Sequence, residues 1–541
     1  MNDVFKSIIG IILNPIILVS CNSTPEKEVL PNIVIIFADD FGYGDLSCYG
    51  ATKIITPEVD KLASEGIRFT DAYVVSSVCS PSRYSLLTGR YSWRTHLKSG
   101  VLKSFAPPLI ENGQTTLASM LKRNGYYTAC IGKWHLGLDW ALTANAPQDA
   151  TESVFEAQGI DAQEYIDFTK PVRNGPTERG FDYFFGISGA NNMIPHVLIE
   201  NDKITMIPSI QNNFGARVLR APNWDLRTLD QEFTKKAIEL LDQHFSENNP
   251  KPLFLYFPTS AIHRPCLPDI TKGKSQAGMR GDMVLEFDLM VGQIVKILEK
   301  HNSLKNTLLI VTSDNGPQPG DPYALVEKFK NKTFGEDFDF YMPYFSNFQP
   351  EYPRNGGQKT GWLVYDHDPT AGLLGFKSDA WEGGLRIPFI VHWPDKIKKG
   401  SVNSRIISTV DIFATITEII GEKLHPDEGE DSYSFLNNLT DADAPQARKS
   451  LTLVSGRSGA MLVRSGPWKY IEGATPQKWD ETQPYPPNNY PDRPGFLEDQ
   501  LYNLSDDKFE KNNLVHMMPE KASELKGIIE KVKQTTKSEI E

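Results

Sequence analysis

Unbroken apolar runs and helically spaced apolar positions alternate along most of this chain. Runs at 32–38, 126–131, 252–257, 306–312 and 389–393 lack the in-and-out alternation of a half-wet strand, so they read as strands buried on both faces. Segments 56–67, 115–124, 228–245, 283–301 and 408–420 carry helical spacing instead. Thr56 and Pro57 fit an N-cap and a first helical residue, and Gly125 and Gly421 fit helix stops. Along 283–301 the apolar stripe runs through Leu285, Leu289, Val291, Ile294, Val295 and Leu298, a face for packing. This rhythm predicts an α/β fold with a large mixed, mostly parallel sheet flanked by helices. Beyond about Pro426 it gives way to short strands at 450–454, 459–464, 468–471 and 500–503, then a polar helix from 522 to about 537. Residues 31–425 are therefore expected to form the main domain, and 426–541 a smaller C-terminal α+β subdomain.

The N-terminus follows neither pattern. Lys6 precedes an apolar run over 8–19, interrupted by Asn14-Pro15 and too short to span a bilayer permanently. Leu18-Val19-Ser20-Cys21 resembles a bacterial lipobox. That predicts a lipoprotein signal peptide at 1–20, lipidation of Cys21 and a tether at 21–30. A plain secretory signal with an incidental Cys21 is the alternative, and either predicts export. The lipidated form would sit in the periplasm or at the cell surface, anchored to the outer membrane of a Gram-negative-type bacterium through its lipid alone.

Composition narrows the partners. With 56 basic against 68 acidic residues among 541, the net charge of −12 argues against nucleic acid, and an anionic ligand would need a local basic cluster. Of five cysteines, Cys48, Cys130 and Cys266 remain once Cys21 and Cys79 are assigned, so at most one bridge could form.

Candidate chemistry collects at the ends of the predicted strands, where open α/β sheets bind ligands. Asp39-Asp40 closes the first run, Lys133 and His135 follow the second, and His263 follows the third. Asp314-Asn315 closes the fourth. Together Asp39, Asp40, Asp314 and Asn315 offer three carboxylates and an amide, hard oxygen ligands that suit Ca²⁺ or Mg²⁺ rather than thiolate-bound zinc. Ca²⁺ is favoured because its coordination is flexible. Cys79-Ser80-Pro81-Ser82-Arg83, running on to Leu86-Leu87-Thr88-Gly89-Arg90, reads as an extended turn entering a helix, with Pro81 in its first turn and Gly89 as C-cap. Cys79 would then lie at a helix N-terminus, a place for an anion. Two irregular stretches, 139–222 and 316–376, are expected to carry specificity, the second walling a cleft. Within the first, His196 and Asn191-Asn192 are candidate substrate contacts, whereas the aromatic string 179–186 reads as packing.

Cys-X-Pro-Ser-Arg with a downstream Leu-Thr-Gly-Arg closely resembles the signature of type I sulfatases, the formylglycine-dependent branch of the alkaline phosphatase superfamily. The resemblance runs from Asn32 to Leu514, with the motifs in the family's order. It implies an alkaline phosphatase-like catalytic domain whose cleft is closed on one side by the C-terminal subdomain. It implies that a maturation enzyme oxidises Cys79 to formylglycine, and that Asp39, Asp40, residue 79, Asp314 and Asn315 hold one metal ion. It further implies that Lys133, Lys377 and Arg83 neutralise the sulfuryl oxygens, with Asp314 a candidate proton acceptor. His263, with Lys377, would protonate the departing alcohol, and His135 would take a proton from the formylglycine hydroxyl. Glu382, Gly383, Gly384 and Arg386 look structural. The expected function is hydrolysis of sulfate monoesters of a carbohydrate. Gly278–Asp282 and Ala129–Ile131 are similar to subfamilies acting on galactose or N-acetylgalactosamine sulfates. Two alternatives are a phosphomonoester or phosphonate monoester hydrolase of the same superfamily and a catalytically silent surface glycan-binding protein. An intact Cys79, Arg83 and metal-ligand set argues against the last.

Overall fold

A computed structural model describes residues 29–147, 162–213, 217–248, 250–264, 266–318, 365–441, 443–473 and 498–535. The predicted signal peptide, Cys21, most of the tether, most of the 316–376 stretch and the chain beyond 535 lie outside the described residues. Residues Pro31–Glu541 form one compact unit.

The main sheet has ten strands, and its middle five all run parallel: Thr307–Ser313, Asn32–Ala38, Leu253–Pro258, Tyr127–Lys133 and Tyr183–Ile187. Asn32–Ala38 lies among them buried along its whole length, as an apolar run without alternation requires. On one side Phe389–His392 adds antiparallel, followed by Ile67–Phe69 and Ser401–Asn403; on the other, Ile199–Glu200 and Lys203–Ile204 continue the sheet. A parallel centre with antiparallel edges points five carboxyl ends the same way, and those ends carry the candidate residues.

The structure corrects several boundaries. The first helix, Pro57–Glu65, stops before Gly66 because Ile67-Arg68-Phe69 is taken up as a strand. The aromatic string read as packing contributes the strand Tyr183–Ile187. The long helix begins at Gly278, and its buried face passes through Val284, Phe287, Val291, Ile294 and Leu298, leaving Leu289 exposed. The expected helix 408–420 is a 3-10 turn, Thr409–Asp411, followed by the α-helix Ile412–Ile419. Among the described residues Cys48, Cys79, Cys130 and Cys266 form no disulfide.

Leu451–Val454, Met461–Ser465, Trp468–Ile471 and Gln500–Asn503 form a separate antiparallel sheet. The helix Pro519–Gln534 lays Leu525 and Ile529 onto Met461, Val463, Tyr470 and Leu501. This sheet also supports the segment entering Cys79: the Val454 N–H donates to the Val75 carbonyl, and the Gly456 N–H to Ser77 Oγ.

Candidate active site

Three strand ends are laced together by their backbones. The Asp39 N–H donates to the Ala261 carbonyl, the Ile262 N–H to the Asp39 carbonyl, and the Asp314 N–H to the Ala38 carbonyl. This brings Asp39-Asp40, the His263 loop and Asp314-Asn315 into one place. Asp40 (φ +61°), His135 (φ +54°) and Ser378 (φ +78°), the neighbour of Lys377, all have left-handed backbone. For residues with a Cβ this costs of order 1 kcal/mol or more each, and such strain gathers where side chains are aimed.

The helix Cys79–Thr88 is buried at every residue, with extended Val78 as N-cap and left-handed Gly89 returning its N–H to the Ser85 carbonyl. Cys79 Sγ lies 3.8 Å from Asp39 Oδ1. Burial pushes its thiol up to about 12, against the pull of Lys133 and Lys377, so the unmodified side chain is no ready thiolate. Lys133 Nζ is 2.5 Å from Asp39 Oδ2, and Lys377 Nζ is 2.5 Å from Asp40 Oδ1. Burial raises both aspartates, but Lys133 above all for Asp39 and Lys377 for Asp40 outweigh it, holding each below the ordinary carboxylate range. Burial works against the Lys377 ammonium too, and Asp40 with Cys79 and Asp39 overcomes it to keep the charge. Asp314 goes the other way, to about 7, through burial and repulsion from Asp39, opposed by Arg83.

Arg83 is held by protein acceptors. Its side chain has no exposed surface. Nε and Nη2 both donate to Asp314 Oδ2, at 3.1 and 2.7 Å, and Nη1 donates to the Lys133 carbonyl at 3.0 Å. A guanidinium committed in this way fixes the carboxylate and the lysine loop.

His135 Nε2 lies 2.9 Å from the Leu102 carbonyl and so carries its hydrogen there, leaving buried Nδ1 without a partner. Burial, then Lys133 and Arg83, keep this ring neutral. His263 Nε2 is 3.8 Å from Asp40 Oδ2, and burial with Lys377 lowers its pKa to about 4.

Ligand atoms of Asp39, Asp40, Cys79 and His263 all lie within 4.8 Å of one another, a group able to hold a metal ion. The oxygen ligands expected from the sequence fit a cation as well. Asn315 Nδ2 donates to Asp40 Oδ1, which leaves Asn315 Oδ1 buried and unpartnered, and Asp40 Oδ2 is also unpartnered. Buried acceptors in that condition are costly unless something positive meets them. Asp314 contributes less freely, since Oδ1 accepts the Asp40 N–H and Oδ2 accepts Arg83.

Sequence reasoning passed over the support behind Asp40. Arg280 donates to both oxygens of Asp45 and to the Asp40 carbonyl, and His367 Nε2 is 3.0 Å from Asp45 Oδ1. The signal was Asp45 in the glycine-rich turn after Asp40. Asn191 faces His263 rather than open space. His196 stacks on Trp224 with 5.1 Å between ring centroids and is not part of the cluster.

A family model described as "Sulfatase" matches residues 31–422. The N-acetylgalactosamine-6-O-sulfatase of Bacteroides thetaiotaomicron is 31% identical, across 96% of this chain and 97% of its own. Human arylsulfatase G is 28% identical, across 91% of this chain and 84% of its own. A 6S-sulfatase structure from work on glycosaminoglycan metabolism by B. thetaiotaomicron superposes with a TM-score of 0.74 at 30% identity, over 94% of this chain and all of that one. A sulfatase from Pseudoalteromonas sp. shares the fold at a TM-score of 0.64 and 23% identity, over 93% of this chain and 89% of its own.

Proposed function

This chain belongs to the sulfatase family and is a sulfuric ester hydrolase, and from that premise we propose that it is an exported, formylglycine-dependent, calcium-binding enzyme that removes sulfate from carbohydrates. The observation that carries the reading is the pairing of two buried lysines with two adjacent aspartates around residue 79 at a helix N-terminus. A calcium ion held by Asp39, Asp40, Asp314, Asn315 and residue 79 would polarise a sulfuryl oxygen. Formylglycine, made from Cys79 by a maturation enzyme, supplies a hydrated aldehyde with one oxygen to attack sulfur and a second to reform the aldehyde.

The rest follows from the chain's own groups. Lys133 and Lys377 are charged donors in a dry pocket, where preorganised charge acts at full strength on the ester's oxygens. Arg83 holds Asp314 and the Lys133 loop in register. His263, as the imidazolium, donates a proton from Nε2 to the bridging oxygen as its bond to sulfur breaks and is left as the neutral ring. His135, neutral and with Nδ1 free to accept, takes the proton of the remaining hydroxyl so that sulfate leaves.

The 6-O-sulfated N-acetylgalactosamine named for the bacterial relative is the first substrate to try, within a wider class of sulfated galacto-configured sugars. Anchoring to the outer membrane through lipidated Cys21 rests on the apolar run and lipobox-like Leu18–Cys21. The test compares sulfate and phosphate release from matched esters, using protein made with its maturation enzyme and a Cys79→Ala control. Sulfate release that the control lacks supports the reading. Preferred phosphate release would move the chain to the phosphomonoesterase alternative, and neither would favour a silent glycan binder.

A further inference from the structure

His263 is the one catalytic candidate whose far ring nitrogen is held by another side chain. Its Nδ1 lies 3.0 Å from Asn191 Oδ1 and 2.7 Å from the Arg264 carbonyl. Both are acceptors, so Nδ1 must carry a hydrogen. Asn191 cannot face the other way round at equal cost, because its Nδ2 donates to the His263 carbonyl at 3.3 Å. Asn191 is itself buried at 5% exposure, in the loop that leaves the strand Tyr183–Ile187, and it thereby ties the fifth parallel strand to the histidine loop after the third. With Nδ1 fixed, Nε2 is left facing the carboxylate cluster, 3.8 Å from Asp40.

We propose that Asn191 is a positioning residue for leaving-group protonation: its amide clamps His263 at both Nδ1 and the backbone carbonyl, so that Nε2 alone exchanges a proton with the substrate. This rests on the sulfatase reading above and adds to it a residue with a defined task. In the step concerned the ring acts as the imidazolium: its Nε2 proton passes to the bridging oxygen, the electron pair of the sulfur–oxygen bond stays on that oxygen, the neutral alcohol departs, and the ring is left as the neutral Nδ1–H form. Two carbonyl acceptors on Nδ1–H raise the basicity of Nε2 and keep the ring plane from swinging. The need for such help depends on the leaving group. A sugar alkoxide leaves poorly without a proton, whereas a nitrophenolate is stable as the anion.

The discriminating experiment measures kcat on a 6-sulfated N-acetylgalactosamine and on 4-nitrophenyl sulfate, for the wild type, Asn191→Leu and Asn191→Asp. Asn191→Leu is expected to lower the sugar-to-aryl ratio of kcat at least tenfold, with KM for the sugar changed less than threefold. Asn191→Asp, which keeps an acceptor for Nδ1, should recover most of that ratio. Equal losses on both substrates, or no recovery with Asn191→Asp, overturn the assignment. A second readout does not depend on turnover: the nitrogen-15 spectrum of histidine-labelled protein should show a protonated Nδ1 on His263 shared between two acceptors, with a resonance that shifts in Asn191→Leu, where the Arg264 carbonyl is the acceptor that remains. Protonation at Nε2 instead would overturn the clamp. A wild type that releases sulfate from neither ester overturns the sulfatase reading, and this proposal with it, before any variant is compared.

Discussion

At the scale of single residues the site is a balance of buried charges. Asp39, Asp40 and Asp314 face Arg83, Lys133 and Lys377, so the formal charges of these six side chains cancel. Such a pocket tolerates no missing member. Replacing Arg83 by leucine leaves Asp314 buried and unpaired, which costs about 3 to 5 kcal/mol. Urea denaturation should show that loss, and a change under 1 kcal/mol would mean that Asp314 finds another partner. Lys133→Ala removes a charged donor from the reacting centre and is expected to lower kcat on a sulfate ester about 10²- to 10³-fold, as loss of one oxyanion donor does. The contacts of Arg83 and Asn191 were not legible in the sequence. Arg83 stands in the right motif, but only the fold shows its guanidinium spent on Asp314, 231 positions away. Asn191 meets a histidine 72 positions distant, and no local pattern marks such a pair.

At the scale of elements, four of the five parallel strands were legible because burial on both faces leaves an unbroken apolar run, whereas Tyr183–Ile187 was read as packing alone. Ile67–Phe69 escaped notice because it follows a helix with only Gly66 between. Leu289 was misassigned because a stripe counted from Leu285 is rotated about one residue from the buried one through Val284 and Phe287. The helix Cys79–Thr88 depends on its C-cap. Gly89 has φ +64°, and a Cβ there would fall 2.7 Å from Gly429 Cα and 3.0 Å from Phe413. Gly89→Ala should therefore destabilise by about 1 to 3 kcal/mol, read as a lower melting temperature. The neighbouring turn carries a pH signature. Glu428 accepts Arg123 at both oxygens, 2.6 and 3.0 Å. Burial raises this carboxyl, but Arg123 and Thr115 outweigh it and bring it from 4.5 to about 2. A depressed carboxyl contributes stability above its ordinary value and loses it as pH falls from about 4.5 toward 2. Glu428→Gln should flatten the stability profile in that window and leave the slope above pH 5 unchanged.

At the scale of the whole molecule, the C-terminal sheet is tied to the rest by ions as well as by apolar packing. Lys469 Nζ, fully buried, lies 3.0 Å from Glu382 and 2.8 Å from Glu510, and Tyr73 donates to Glu382 at 2.8 Å. Glu382 comes from the block read as structural, and that reading agrees with its place here. The same sheet buttresses the segment entering residue 79, so that residue is positioned by segments from both halves of the chain. All of this geometry serves one residue, and the account stands or falls on its chemistry. The most direct measurement is peptide mass spectrometry across residue 79 in protein produced with its maturation enzyme, paired with sulfate release by the same sample. The account predicts an aldehyde or its hydrate at position 79, with sulfate release proportional to the converted fraction. An intact thiol despite a competent maturation enzyme, or sulfate release independent of conversion, would contradict it.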